Sequence, residues 1–143
     1  MSSIRSQIMA YINTTLNAGG APCTFFRCRQ DEFQPAELPA GNFFPTDQAD
    51  QIDAKETDCT LTIEVAAVVA SAQDPVDEAA DALLVWIEHQ IMADETLGGL
   101  AVYIEPRGVK WFMEQKGTEQ CGAIRTFDIH FRTALTDSTA NDS

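Results

Sequence analysis

Thr60-Leu61-Thr62-Ile63-Glu64-Val65-Ala66-Ala67-Val68-Val69-Ala70, followed at Asp74 by Asp-Pro-Val-Asp-Glu, is the stretch on which the fold turns. Leu61, Ile63, Val65, Ala67 and Val69 fall on one side of an extended chain and Thr60, Thr62 and Glu64 on the other, the period of a half-buried strand. Positions 66–70 are apolar on both sides, as expected where a sheet is covered on both faces or meets another subunit. Asp74-Pro75 supplies a helix N-cap and a first-turn proline, and Asp77 and Glu78 set negative charge at the positive end of that helix. Through Ala93, residues Val76, Ala80, Leu83, Leu84, Ile87 and Ile91 share a stripe that lies on the sheet. Trp86 sits at its flank. Val85 and Met92 fall near the opposite face, a thinner apolar strip that a lone chain leaves wet.

Working outward, Ser3 to Asn17 places Ile4, Ile8, Tyr11, Ile12 and Leu16 on one stripe and predicts a first helix, stopped by Gly19-Gly20. Cys23 to Gln30 reads as a strand, Leu38-Pro39-Ala40 as a strand edge, and Asn42 to Pro45 as a short strand. The segment from about 46 to 58 carries Asp47, Asp50, Asp53, Glu56 and Asp58 with almost no apolar residue, which predicts a long solvated loop or a mobile hairpin tip. Leu97-Gly98-Gly99 suits a turn. Ala101–Ile104 and Val109–Met113 are expected to pair around a Glu105-Pro106-Arg107-Gly108 turn. Phe127, Ile129 and Phe131 alternate with polar residues in a last strand, and 134–143 reads as a frayed tail. The order predicts one α+β domain over 1–143, a mainly antiparallel β-sheet with two principal helices packed against it.

At 143 residues the chain suits one domain burying roughly two thirds of its unfolded surface. The formal charge of −13 argues against tight binding to nucleic-acid phosphate, because such binding needs clustered Lys and Arg, and the nine here are scattered. Cys23, Cys28, Cys59 and Cys121 lack Cys-x-x-Cys spacing and nothing resembles a signal peptide, so reduced, cytosolic thiols are expected. The longest apolar run, 65–70, is too short to span a bilayer, and no membrane association is expected.

Chemistry-bearing patterns are sparse. The acids of 47–58 stand at intervals of three and then two, which does not match the alternate oxygen ligands and turn glycine of a calcium-binding EF-hand loop. Neither Gly-Gly pair precedes the Lys-Ser/Thr of a phosphate loop. His89 and His130 are the only histidines, and no Gly-x-Ser-x-Gly elbow is present. Asp128 and His130 share a strand face and read as a solvent-facing polar row. Around Asp58 and Glu64 no lysine follows to serve a nuclease. No catalytic residue, metal or cofactor is therefore assigned, and the chain is read as a non-enzyme. Trp86 and Trp111 read as core aromatics or interface anchors. Arg27, Arg29, Arg107, Arg125 and Arg132 read as surface charges or as donors to a neighbouring subunit's carboxylates in a head-to-tail contact.

The order Thr24-Phe25-Phe26-Arg27, then Leu38-Pro39-Ala40, then the alternating strand from Thr60, followed by an amphipathic helix, a hairpin and a final strand, resembles the tail terminator (minor tail protein U) family of long-tailed, lambda-like phages. The resemblance covers most of the chain and rests on the order of the pieces. It implies a virion protein of the head-proximal tail end, made in the host cytoplasm. Such a protein forms a homohexameric ring on the completed tail tube, stops tube polymerisation and presents a surface to the head-tail connector protein. DNA passes through the ring without being bound. On this reading Arg27, Arg29, Val85, Trp86, Met92, Arg107, Trp111 and Arg125 are candidates for subunit or partner contact, and Asp47, Asp50, Asp53, Glu56 and Asp58 for a lumen- or tube-facing surface. Another phage connector or neck protein, and more distantly a small cytosolic enzyme, are the alternative readings.

Overall fold

The structure, a computed structural model, describes residues 3–53, 56–113, 120–134 and 137–141. The elements are α1 (Ile4–Leu16), β1 (Thr24–Arg27), a short 3-10 helix (Pro35–Glu37), β2 (Ala40–Asp53), β3 (Glu56–Ala70), α2 (Val76–Met92), β4 (Tyr103–Phe112), β5 (Gln120–Ala134) and β6 (Asp137–Asn141). Five strands run in the order β1-β2-β3-β5-β4, and β6 pairs with the end of β5. Only β1 against β2 is parallel. The chain is an α+β domain with a mainly antiparallel sheet, as the sequence predicts.

Both helices lie on one face of the sheet. Ile4, Ile8, Ile12 and Leu16 of α1 and Ala80, Leu83, Leu84, Ile87 and Ile91 of α2 are buried against Leu61, Ile63, Val65, Ala67 and Val69 of β3 and Phe127, Ile129 and Phe131 of β5. The stripes read from periodicity are therefore the core stripes; Met9 joins them. Ser3 caps α1 by accepting from the Ser6 amide. At the other end the Asn17 side chain bridges both backbone groups of Phe25, at 2.8 and 2.9 Å, which ties α1 to β1. Gly41 leaves room for the Phe25 ring, since a Cβ there would overlap its Cδ1 and Cε1. That ring in turn stacks on Trp86 at 5.4 Å and 13°.

Four expectations are corrected. The acidic segment is not a loop: β2 and β3 stay paired through Gln51↔Asp58, Ile52↔Thr57 and Asp53↔Glu56, so the hairpin alternative is the one adopted. Polar residues do not prevent strand pairing where the ladder satisfies the backbone. Positions 54 and 55, and the side chain of Asp53, lie outside the described residues. Glu105-Pro106-Arg107-Gly108 is not a turn but an irregularity in one strand, with the register of β4 on β5 shifting between Pro106 and Val109. Proline, lacking an N–H, and glycine are tolerated at a bulge on an edge strand, so turn residues also mark bulges. The tail forms β6, whose Asp137 and Asn141 pair with Ala134 and Thr133; positions 135, 136, 142 and 143 lie outside the described residues. Lastly, Pro75 rather than Asp74 holds the N-cap of α2, without a side-chain capping bond.

Candidate functional site

The helices leave the second face of the sheet to be covered by something else, and the two halves of that face differ. At the near half, Ala66 and Val68 of β3, Ala40 of β2 and Ile124 of β5 pack with Phe33, Phe26, Leu38 and Phe112. Phe33 comes from the segment between β1 and β2, which folds back over the sheet. The two-sided apolar run at 66–70 is thus covered by its own chain.

Arg29 holds that segment down. Its Nη1 and Nη2 donate to both carboxylate oxygens of Glu37 at 2.6 and 2.8 Å, and its guanidinium lies over the rings of Phe26 and Phe33 at 4.7 and 4.5 Å. Paired, bidentate and stacked geometry is what a planar guanidinium suits. The Asn42 side chain accepts from Arg29 N and donates to Arg29 O, fixing the backbone as well. Glu37 also accepts from the Gln34 amide at 2.8 Å. The Arg29 bonds, then the Gln34 amide, hold the Glu37 carboxyl down from 4.5 to about 2. Arg29, a candidate interface donor, is committed inside its own chain.

The far half of the same face is open and polar. Cross-strand register places Asp58, Thr60 and Thr62 of β3 beside Arg132, His130 and Asp128 of β5, and beside Tyr103 and Glu105 of β4. Thr62 Oγ1 donates to Asp128 at 2.7 Å, and Arg132 Nε donates to Asp58 at 2.9 Å. Arg107 reaches Glu105 at 3.3 Å and Asp128 at 3.5 Å. The His130 ring stacks on Tyr103 at 4.1 Å, with Nδ1 3.1 Å from Thr60 Oγ1 and Nε2 3.3 Å from Glu105. An open cleft of about 450 Å³ borders this row.

Hydroxyl, imidazole and carboxylate in sequence resemble a nucleophile with its base and orienter. A nucleophile of that kind also needs donors aimed at a developing oxyanion. Thr60 sits inside β3 with a ladder on each side, so the neighbouring backbone amides are engaged in the sheet. The geometry is that of a cross-linked polar surface. Among the described residues no group of three or more His, Cys, Asp or Glu side chains is arranged to hold a metal. None of the four cysteines forms a disulfide. Burial pushes the Cys23 and Cys59 thiols up to about 11, Asp50 adding to the effect at Cys59. No helix among the described residues is long and apolar enough to cross a membrane.

The remaining candidates separate cleanly. Arg125 lies on the helix side, 3.6 Å from Glu88 of α2, and its buried Nε has no hydrogen-bond partner. Arg132 reaches Glu56 at 4.0 Å as well as Asp58, so these two acids are answered within the chain. Arg27, Asp47 and Asp50 are exposed. Of the apolar candidates, Trp86 and Met92 pack against the core, whereas Val85 is 44 % and Trp111 47 % exposed. The thin strip on α2 is therefore reduced to Val85. Sequence reasoning missed Ile52, 70 % exposed near the end of the hairpin, and Met113, 63 % exposed beyond β4. A lone isoleucine among aspartates was the available signal. No protein-family model and no curated protein sequence matches the chain.

Proposed function

We propose that this chain is a phage tail terminator: copies of it assemble into a six-membered ring that caps the completed tail tube, stops its polymerisation and offers the other side to the head-tail connector. The observation that carries this reading is the β2–β3 hairpin. β3 has 15 residues, about 50 Å at roughly 3.3 Å per residue, well beyond an ordinary strand. Its end presents exposed Asp47 and Asp50 together with a bare Ile52. Such an apolar residue at the acidic end of a hairpin suits contact with another protein, and an acidic surface suits a passage through which DNA slides without a binding well to slow it. The resemblance in the order of sequence elements supports the same reading. Six copies bring six times −13 into one ring, so screening by salt is expected to favour assembly.

Electron microscopy and light scattering across a salt series test it. Six-fold rings that seat on tube ends and halt growth of purified tube protein are expected. A chain that stays monomeric at every ionic strength, and leaves tube growth unchanged, overturns the reading. Rings that bind portal vertices but not tube ends would make it a connector.

A further inference from the structure

We infer that the far edge of β2 and the edge of β4 are the two halves of one head-to-tail contact between copies of this chain, an inference that rests on the ring proposed above. Both edges are open. β1 pairs with β2 only along Ala40–Phe43, so from Phe44 to Asp53 the sole sheet neighbour of β2 among the described residues is β3. Among the described residues β4 has only β5 beside it. Unpaired edges are templates for another strand, and a chain must either blunt them or use them.

Their chemistry is complementary. Residues 46–53 of β2 include three aspartates and no base, whereas 103–113 include Arg107 and Lys110 against one acid, Glu105. In a chain of net charge −13, residues 103–113 along the β4 edge carry more base than acid. Of the six large apolar side chains that are exposed among the described residues, four, Val102, Tyr103, Trp111 and Met113, lie on or beside β4, and a fifth, Ile52, lies on the β2 edge. Ile52 and Trp111 also point to the same side of the sheet: Ile52 pairs with Thr57, in phase with buried Cys59, and Trp111 pairs with buried Ala123. Two acidic edges repel one another, so like-with-like pairing is disfavoured and β2 against β4 is selected. A contact between different surfaces closes into a ring when its rotation permits.

Ile52→Asp and Trp111→Asp test the contact at an ionic strength where the wild type forms rings. Each change falls on an exposed side chain, and unchanged far-ultraviolet circular dichroism verifies the fold. Each variant alone is expected to lose ring formation, because every contact needs one edge of each kind. An equal mixture is expected to give a two-copy species, trapped by carbodiimide coupling of Lys110 on one copy to Asp47, which lies on the same face of the sheet, on an isotope-labelled other. Rings from either variant alone, or wild-type rings yielding no such coupling between copies, overturn the edge contact and leave the terminator reading standing. A wild type that never assembles overturns both. Lys110→Glu is a second variant without loss of apolar surface, and about a tenfold rise in the concentration needed for assembly is expected of it; no rise counts against the contact.

Discussion

The near and far halves of the sheet share strands, register and the same helices on one side, yet they differ on the other. Near β1 the second face is sealed by Phe33 and its neighbours, and the local charges, Arg29 and Glu37, are spent on each other. Towards the hairpin end the second face carries threonines, acids, His130 and Tyr103, and several charges point at solvent. The difference arises from where the chain spends its longest connection among the described residues, 28–39. That segment covers half a face. Stability is concentrated where apolar area is removed from water on both sides of the sheet, and contact surface is left where it is not.

The largest expected loss follows from disturbing the doubly covered half. A Cβ on Gly122 would meet Ala67 O and approach Phe112 Cζ to 2.6 Å. The first is backbone of the central strand and has little room to give. Gly122→Ala is expected to cost about 3 kcal/mol, near the upper end for overpacking, read by urea unfolding. Phe33→Ala, which removes the main apolar weight of the cover, is expected to cost about 2–3 kcal/mol, somewhat below a deep core phenylalanine because Phe33 is near the surface. If Phe33→Ala is neutral, the covering segment is ornament and the contrast between the halves loses its energetic basis.

A smaller, pH-dependent effect sharpens the same contrast. The folded Glu37 carboxyl releases its proton more readily than it would in the unfolded chain, with its value held at about 2 instead of 4.5. Its contribution is therefore complete above 4.5 and is lost as pH falls towards 2. The wild type is expected to melt higher than Glu37→Gln at pH 7, with the gap closing over that window. A gap that persists unchanged at pH 2 would mean that packing, not the ion pair, separates the two proteins.

Much of this was legible beforehand because it depends on local periodicity. The stripes of α1 and α2 and the alternation of β3 and β5 follow from which positions must leave water, and one chain suffices to see that. The acid-rich hairpin and the β4 bulge were harder. A strand whose side chains face solvent on both sides has no hydrophobic period, and its pairing comes from backbone bonds to β3 that side-chain patterning does not report. Proline and glycine at 106 and 108 carry the same signature in a turn and in an edge bulge. The commitments of Arg29 and Arg125 were invisible for another reason. Both partners, Glu37 and Glu88, are brought near by tertiary packing, so charge alone did not distinguish an internal clamp from an interface donor.

The smallest effect is expected at the far end, where Asp47→Asn, Asp50→Asn and Ile52→Ala are combined. Each of these side chains is exposed, and they make few bonds: Asp47 accepts from the adjacent Gln48 amide, and Asp50 from the Gln48 side chain and, across the ladder, from the Cys59 thiol. Surface changes away from packed or buried features alter stability by about 0.5 kcal/mol or less. Removing two negative charges from a chain of −13 also relieves some self-repulsion, which opposes the small losses. The monomer is therefore expected to unfold at the wild-type urea midpoint within that margin. Because Phe33→Ala on the same sheet is expected to cost several times more, the pair of measurements reads the two halves against each other. A loss above about 1 kcal/mol from the triple change, more than surface sites give, would show that the hairpin end belongs to the folded core. A neutral result would leave any change in tube capping by this variant attributable to contact and not to folding.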